Sequence, residues 1–386
     1  MDHLSRTMAV SLVLALLLCG MTQRRSTAAD NKTPTFRGQP VSTWIDQLKD
    51  KDVAVRRGAA AELAMRVDKA GPSKQASKAL LPVLFDMLKD TDAGVRRRAA
   101  LAWRRFNGDR RPQDSEARAL LPVVLDALRD GDAGVRKWAA CSLVRVNCDR
   151  KVVLAPLTKL LKDSDERVRA EAARALGAVD PRAAAVPALI GALDDKSAVV
   201  RHAAAMSLGW IGEPARAAVP RLITALKDSD KEVRSAAAGA LGGIHSEAEA
   251  SVPALIAALK DEGTREDAAR ALGRFGPAAK GAVPALLIVR NDEDEYVRMT
   301  ALGSLVKIDP EGGKTQASLV AALRDKDEMV RGTTANLCAG LGPKAKAAVP
   351  TLVAMLKDEK DTNVRSLAVA ALKKIEPAAA RRAGVP

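Results

Sequence analysis

Aromatic side chains are nearly missing from this chain, with four Trp, four Phe and one Tyr among 386 residues. Large globular cores draw much of their buried area from such rings, so a conventional core of this length is not expected. The apolar mass is Ala, Leu and Val, which suits closely packed helices. Cysteine is also scarce, at four. Cys141 and Cys148 lie seven apart on what reads as one helix, about 10.5 Å along its axis. A disulfide needs Cα atoms within about 7 Å, so that pair is expected to stay open, and Cys338 falls at a core position. Neither a disulfide framework nor a metal spacing follows. Of three histidines only His202 and His245 lie beyond the N-terminal stretch, and neither has a partner at ligand spacing. No phosphate-cradling Gly loop, nucleophile elbow or zinc pattern is present. No run alternates apolar and polar residues long enough to make a strand. The chain reads as all-α, without a catalytic constellation, metal or cofactor.

Residues 1–29 have the three-part layout of a secretory signal. Arg6 precedes the uncharged stretch "MAVSLVLALLLCGM" at 8–21, and Ser26, Thr27, Ala28 and Ala29 offer small residues for cleavage. Fourteen uncharged residues fall short of the roughly 20 that span a bilayer. Export to the periplasm, cell envelope or medium is therefore expected, with residues 30–40 as a linker and no transmembrane span in the mature chain. Asp2 and the Arg24-Arg25 pair are atypical of such a signal. Lipidation of Cys19 and an uncleaved anchor remain open alternatives; Leu18 before that cysteine is larger than a lipidation site normally carries.

From residue 41 onward the chain repeats itself. "LKDSDERVR" at 161–169 returns as "LKDSDKEVR" at 226–234. Its last Arg is a marker that recurs at Arg56, Arg96, Arg136, Arg169, Arg201, Arg234, Arg265, Arg298, Arg331 and Arg365. The spacings run from 31 to 40 residues, the period of a helical solenoid. One unit, "VPALIGALDDKSAVVRHAAAMSLGWIG" at 186–212, shows the anatomy. Pro187 suits the first turn of a first helix, and Leu189, Ile190 and Leu193 make its stripe. An acidic turn follows. An Asp four residues before the marker, such as Asp165, Asp230, Asp294 or Asp327, is placed to cap the second helix. Val168, Ala172, Ala173, Leu176 and Val179 show that helix's apolar face. Gly177, Gly209, Gly242 and Gly273 sit mid-helix, where glycine costs stability, so close approach of a neighbouring unit is expected there. The Asp and Arg of the turn recur too often for a catalytic pair, and they read as a ladder between units.

The "VPAL" opening, the "LKDxDxxVR" turn and the "AAxALGxIG" second helix resemble a HEAT repeat of the short bacterial, phycobilisome-lyase-like type. The resemblance covers about ten two-helix repeats over residues 41–386. It implies an α-α superhelix with first helices outside and second helices lining a concave side, acting as a protein-binding scaffold. A related enzyme group resembling deoxyhypusine hydroxylase holds iron through His-Glu pairs, but this chain has His202-Ala203 and His245-Ser246. Bilin-lyase activity is a second alternative, implied by resemblance alone. Repeat seven, "LKDEGTREDAARALG", has lost two residues from its turn, and a kink is expected there. Repeats one and two carry about seven extra residues after their second helices.

Function is expected where the repeats differ. On a wheel at about 100° per residue, positions three, four, seven and ten after the marker form the core, and one, two, five and nine the exposed face. In the first three repeats that face carries Arg57, Arg97, Arg98, Arg105, Lys137, Trp138 and Arg145. Later repeats place Ala170, Glu171, His202, Ser235, Glu266 and Asp267 there. Residues 30–152 hold 25 Lys and Arg against 16 Asp and Glu, whereas residues 153–386 hold 34 against 30. The basic strip is the candidate binding region, for an acidic protein or anionic polymer. Nucleic acid is the weaker alternative, because stacking platforms need aromatics. Only Trp138 and Trp210 fall at exposed positions; Trp44 and Trp103 occupy leucine columns of the core.

Overall fold

The computed structural model describes residues 35–65, 74–107, 114–144, 150–179 and 182–384. Their contacts divide the chain into two units, residues 1–108 and 109–386. The first unit contains α1 (Val41–Leu48), α2 (Val53–Ala64), α3 (Lys74–Met87) and α4 (Ala93–Asn107), the first two helix pairs. The second holds eight more. Their first helices are α5 (Asp114–Ala127), α7 (Arg150–Leu160), α9 (Val186–Ala192), α11 (Val219–Ala225), α13 (Ala248–Ala258), α15 (Val283–Val289), α17 (Gly313–Ala322) and α19 (Val349–Asp358). Their second helices are α6 (Ala133–Leu143), α8 (Glu166–Ala178), α10 (Ala198–Ile211), α12 (Lys231–Ile244), α14 (Arg265–Phe275), α16 (Glu295–Ile308), α18 (Glu328–Leu341) and α20 (Thr362–Ile375). A short α21 (Pro377–Arg382) follows. The all-α expectation holds, with one addition. Residues 35–40, expected as linker, include a two-residue antiparallel pairing, Thr35–Phe36 with Gln39–Pro40. It is pinned to the first repeat: Trp44 Nε1 donates to the Phe36 carbonyl at 3.0 Å, and the two rings meet edge to face.

The acidic turns do two jobs with two different carboxylates. Asp165 accepts from the Arg167 and Val168 N–H groups, capping the first turn of α8. Asp52, Asp132, Asp230, Asp294, Asp327 and Asp361 act alike. Repeat five has Ser197 at this position; its side chain makes no cap and bonds Glu166 instead. The other carboxylate, two residues earlier, receives the marker arginine of the preceding repeat. Arg169 binds both oxygens of Asp195 at 2.8 and 2.9 Å, and the same guanidinium donates to the carbonyls of Asp163 and Ser164 in its own turn. Arg56–Asp90, Arg136–Asp163, Arg201–Asp228, Arg234–Asp261 and Arg298–Asp325 repeat the bidentate arrangement. In the tenth repeat Glu359 takes the aspartate's place and Arg331 binds it. These contacts form the ladder expected from the sequence.

The Arg331 guanidinium holds the Glu359 carboxyl well below its ordinary value of 4.5, at about 2. Arg201 and Arg234 likewise lower Asp228 and Asp261. At Asp163 and Asp195 burial pushes upward, but the arginine and a backbone N–H outweigh it. Because these folded values lie below the unfolded ones, their stabilisation is complete above the ordinary carboxylate range and disappears as pH falls through the folded values. The urea midpoint should therefore be flat from about pH 5 to 7 and decline steeply below about pH 4.5. A midpoint unchanged down to pH 2.5 would contradict the ladder's role.

Glycines bring the second helices together. A Cβ on Gly177 would stand 2.6 Å from the Ser207 Cβ, one on Gly209 2.9 Å from the Ala240 Cα, and one on Gly242 2.8 Å from the Ala271 Cα. Successive second helices of the larger unit are in extensive contact, whereas successive first helices scarcely touch. The tighter layer is the inner one of a curved stack, so the second helices line the concave side of this unit. The turn deletion in repeat seven is absorbed by α14, which begins at Arg265 itself, three residues later relative to the marker than α8 does. Its flanking contacts persist, Gly242 on Ala271 and Gly273 on Ser304. Local hydrogen bonding suffers instead: Arg265 still reaches Asp292, but its buried Nε has no acceptor among the described residues. The extra segments after repeats one and two lie outside the described residues.

Candidate functional site

In α10, α12 and α14 the residues one, five and nine after the marker lie towards the inner side. In α10 these are His202, Met206 and Trp210; in α12, Ser235, Gly239 and Gly243; in α14, Glu266, Arg270 and Arg274. Small residues in the middle helix between long ones on either side make a groove of about 280 Å³. Gly239 is its floor, with open space where a Cβ would be. Trp210, 56% exposed, and Met206 form one wall. Arg270 and Arg274 form the other.

The charges on the second wall are unequal. Arg270 is held by both Glu266 and Asp267 of its own helix, and Asp267 also accepts from the Ser235 hydroxyl. Arg274 has no carboxylate partner among the described residues. Its Cδ lies 3.4 Å from where a Cβ on Gly242 would stand, so its stem leans back over α12 towards the groove. At the tryptophan end, Arg182 Nη1 donates to the Trp210 carbonyl at 3.4 Å. The groove therefore joins an apolar plane to a cation not neutralised by the fold.

The basic strip fares less evenly. Arg97 and Lys137 are exposed and Arg98 is half-buried, its Nη1 on the Gly94 carbonyl at 3.1 Å. Arg57 is exposed but its guanidinium is committed to Asp92, the helix-capping residue of the next repeat. Trp138 corrects the exposed-face expectation, since it is only 6% exposed. Ala203 and Ala236, at the same second position after the marker, are buried too, as is Ala170 at the first. A helix wheel treats one side as core, but a solenoid helix also has neighbours along the stack, and this flank faces them. The Arg105 side chain and Arg145 lie outside the described residues. Arg57, Arg97 and Arg98 belong to the first unit, and Lys137 and Trp138 to the second. Trp44 and Trp103 are buried, as their columns imply.

The other sequence candidates carry no visible chemistry. Cys338 is a buried free thiol, and burial pushes it up to about 12. Cys148 lies outside the described residues. Among the described residues no group of three His, Cys, Asp or Glu side chains could hold a metal ion, and no helix is long and apolar enough to cross a membrane. The groove was not singled out from sequence, although the signal was there. Reading the one, five and nine columns by size across repeats five to seven gives large, small, large.

Stacked helix pairs joined by capped turns and an arginine ladder define a helical-repeat solenoid. The HEAT repeat model matches residues 41–142, 154–219, 192–267, 219–306 and 316–383, and the chain belongs to the HEAT-repeat family. No curated protein matches it by sequence. Among solved structures, an engineered protein is similar with 26% identity and a TM-score of 0.52, over 87% of this chain and 98% of the other. A chain from the structure of Kap95p with RanGDP has 14% identity and a TM-score of 0.59, over 89% of this chain and 53% of that one. Importin beta gives 14% and 0.57, over 89% and 52%. This chain spans about half the length of those two, and the likeness to them is one of fold. Solenoids of this family commonly serve as protein-interaction scaffolds.

Proposed function

We propose that this chain is an exported, non-enzymatic scaffold that binds another protein through the inner face of its second helices. One observation carries the reading. The residues that repeat are consumed by the frame, as ladder, caps and helix contacts, while the inner face differs from helix to helix and holds a groove with an exposed tryptophan. Binding of nucleic acid or an anionic polymer through the basic strip is the weaker reading, because Arg57 is neutralised by Asp92 and Trp138 is buried. Export rests on the layout of residues 1–29 and is checked by sequencing the mature N-terminus, expected at Ala29 or Asp30.

The binding reading is tested by capture from the envelope fraction with three forms of the full chain. Wild type and Ile288→Ser, altered at an exposed first-helix residue, should retain the same partner protein. A form carrying Arg97→Glu, Lys137→Glu and Trp210→Ala should lose it. Equal capture by all three, or loss only with Ile288→Ser, overturns the inner-face assignment.

A further inference from the structure

We propose that the groove over Gly239 binds an extended acidic segment of a partner protein, seating an apolar side chain against Trp210 and a neighbouring carboxylate at Arg274. The inference rests on the protein-binding reading above and names the chemistry of that partner.

The argument begins with what the fold leaves unused. Across α10, α12 and α14 the inner columns run His202–Ser235–Glu266, Met206–Gly239–Arg270 and Trp210–Gly243–Arg274. Gly243 has a structural reason, since a Cβ there would stand 2.6 Å from the Gly209 carbonyl oxygen. Gly239 has none. Nothing lies within 4 Å of its absent Cβ, and a glycine at a helix interior costs about 0.5–1 kcal/mol relative to alanine. That cost is tolerated where the missing side chain keeps a space open.

The walls say what fills the space. Trp210 is the one tryptophan of Trp44, Trp103, Trp138 and Trp210 that is not buried, and with Met206 it offers a flat apolar surface. A groove of about 280 Å³ has room for one large side chain with adjoining main chain. Arg270 is engaged by both Glu266 and Asp267, which leaves Arg274 as the cation of this wall with no carboxylate partner among the described residues. Charge complementarity therefore asks for a carboxylate beside the apolar group. An arginine fork binds a carboxylate through two parallel hydrogen bonds, and the apolar neighbour supplies the desolvation that makes such a contact count. A polyanion without apolar groups would leave Trp210 and Met206 unsatisfied.

The test uses the full-length protein and three capped pentapeptides: Gly-Asp-Phe-Asp-Gly, its Asn counterpart Gly-Asn-Phe-Asn-Gly, and its Ala counterpart Gly-Asp-Ala-Asp-Gly. Because the other three tryptophans are buried, acrylamide quenching of fluorescence reports Trp210. The Asp-Phe-Asp peptide should protect it and bind at least tenfold more tightly than either counterpart. Arg274→Glu should weaken that peptide at least tenfold and favour a Gly-Lys-Phe-Lys-Gly peptide, a charge swap that a folding defect cannot mimic. Gly239→Leu, whose side chain enters open space, should block all of them with the helix content unchanged. Equal affinity for the Asp and Asn peptides, indifference to Arg274→Glu, or no binding at millimolar concentration overturns the proposal. So does occupancy by heparin or an oligonucleotide that excludes the Phe-bearing peptide, or shielding of Trp210 by a second copy of the chain. If partner capture still depends on the inner face while the peptides fail, the scaffold reading stands and only the groove assignment falls.

Discussion

Replacing Arg169 by Leu should cost about 3–5 kcal/mol of stability, the usual penalty for removing one member of a buried ion pair. Arg169 is only 5% exposed, and its loss leaves Asp195 desolvated with nothing but the Ser197 N–H to satisfy it. It also strips a donor from the carbonyls of Asp163 and Ser164. Asp195→Asn should be milder, since an amide oxygen still accepts from the guanidinium. The double variant Arg169→Leu/Asp195→Leu should recover part of the loss, because the unpaired charge is gone. A double-mutant cycle from urea unfolding measures the coupling, and a value under about 0.5 kcal/mol would show the contact to be ornamental. Each repeat is stabilised only by its neighbours, so the variant's transition should also broaden or split where repeats four and five meet.

Two glycines thirty residues apart should respond with opposite signs. Gly209→Ala places a Cβ 2.9 Å from the backbone of Ala240, and α10 and α12 must separate to admit it. Overpacking of that kind costs about 1–3 kcal/mol, more than the 0.5–1 kcal/mol that alanine returns in a helix interior. Gly209→Val should be worse. Gly239→Ala meets nothing and should stabilise by about 0.5–1 kcal/mol. Thermal or urea denaturation of the two variants decides the matter. Shifts of the same sign would mean that close helix approach is not what keeps glycine at position eight after the marker.

Most of the frame is legible in the sequence because one solution is written ten times. The spacing of Asp165, Arg169, Ala172, Ala173 and Leu176 carries the cap, the ladder and the core, and any ambiguity in one copy is resolved by the others. What the sequence conceals depends on neighbours. Trp138 looks exposed on the wheel of its own helix and is buried by the stack. Arg57 looks like a free cation until Asp92, 35 residues away, is brought to it. The groove is harder still to see, because it arises from the absence of a side chain at Gly239 and from the flanking Trp210 and Arg274, two residues unremarkable in their own repeats. Repeat seven shows the reverse. Its shortened turn suggests a break in the array, yet the Gly242 and Gly273 contacts hold it in line.

The ladder points one way. Within each unit the marker arginines, from Arg56 on Asp90 to Arg331 on Glu359, reach forward to the carboxylate of the following turn. That turn accepts from behind, so such a repeat brings with it one half of two joints. Arg365, in the tenth pair, instead donates to the Glu359 carbonyl of its own turn. A segment cut from one marker and pasted before another would therefore mate correctly at both ends without a compensating change. Such a protein can be lengthened or shortened by whole modules, and the extent of its inner face is free to vary during evolution while the joinery stays the same.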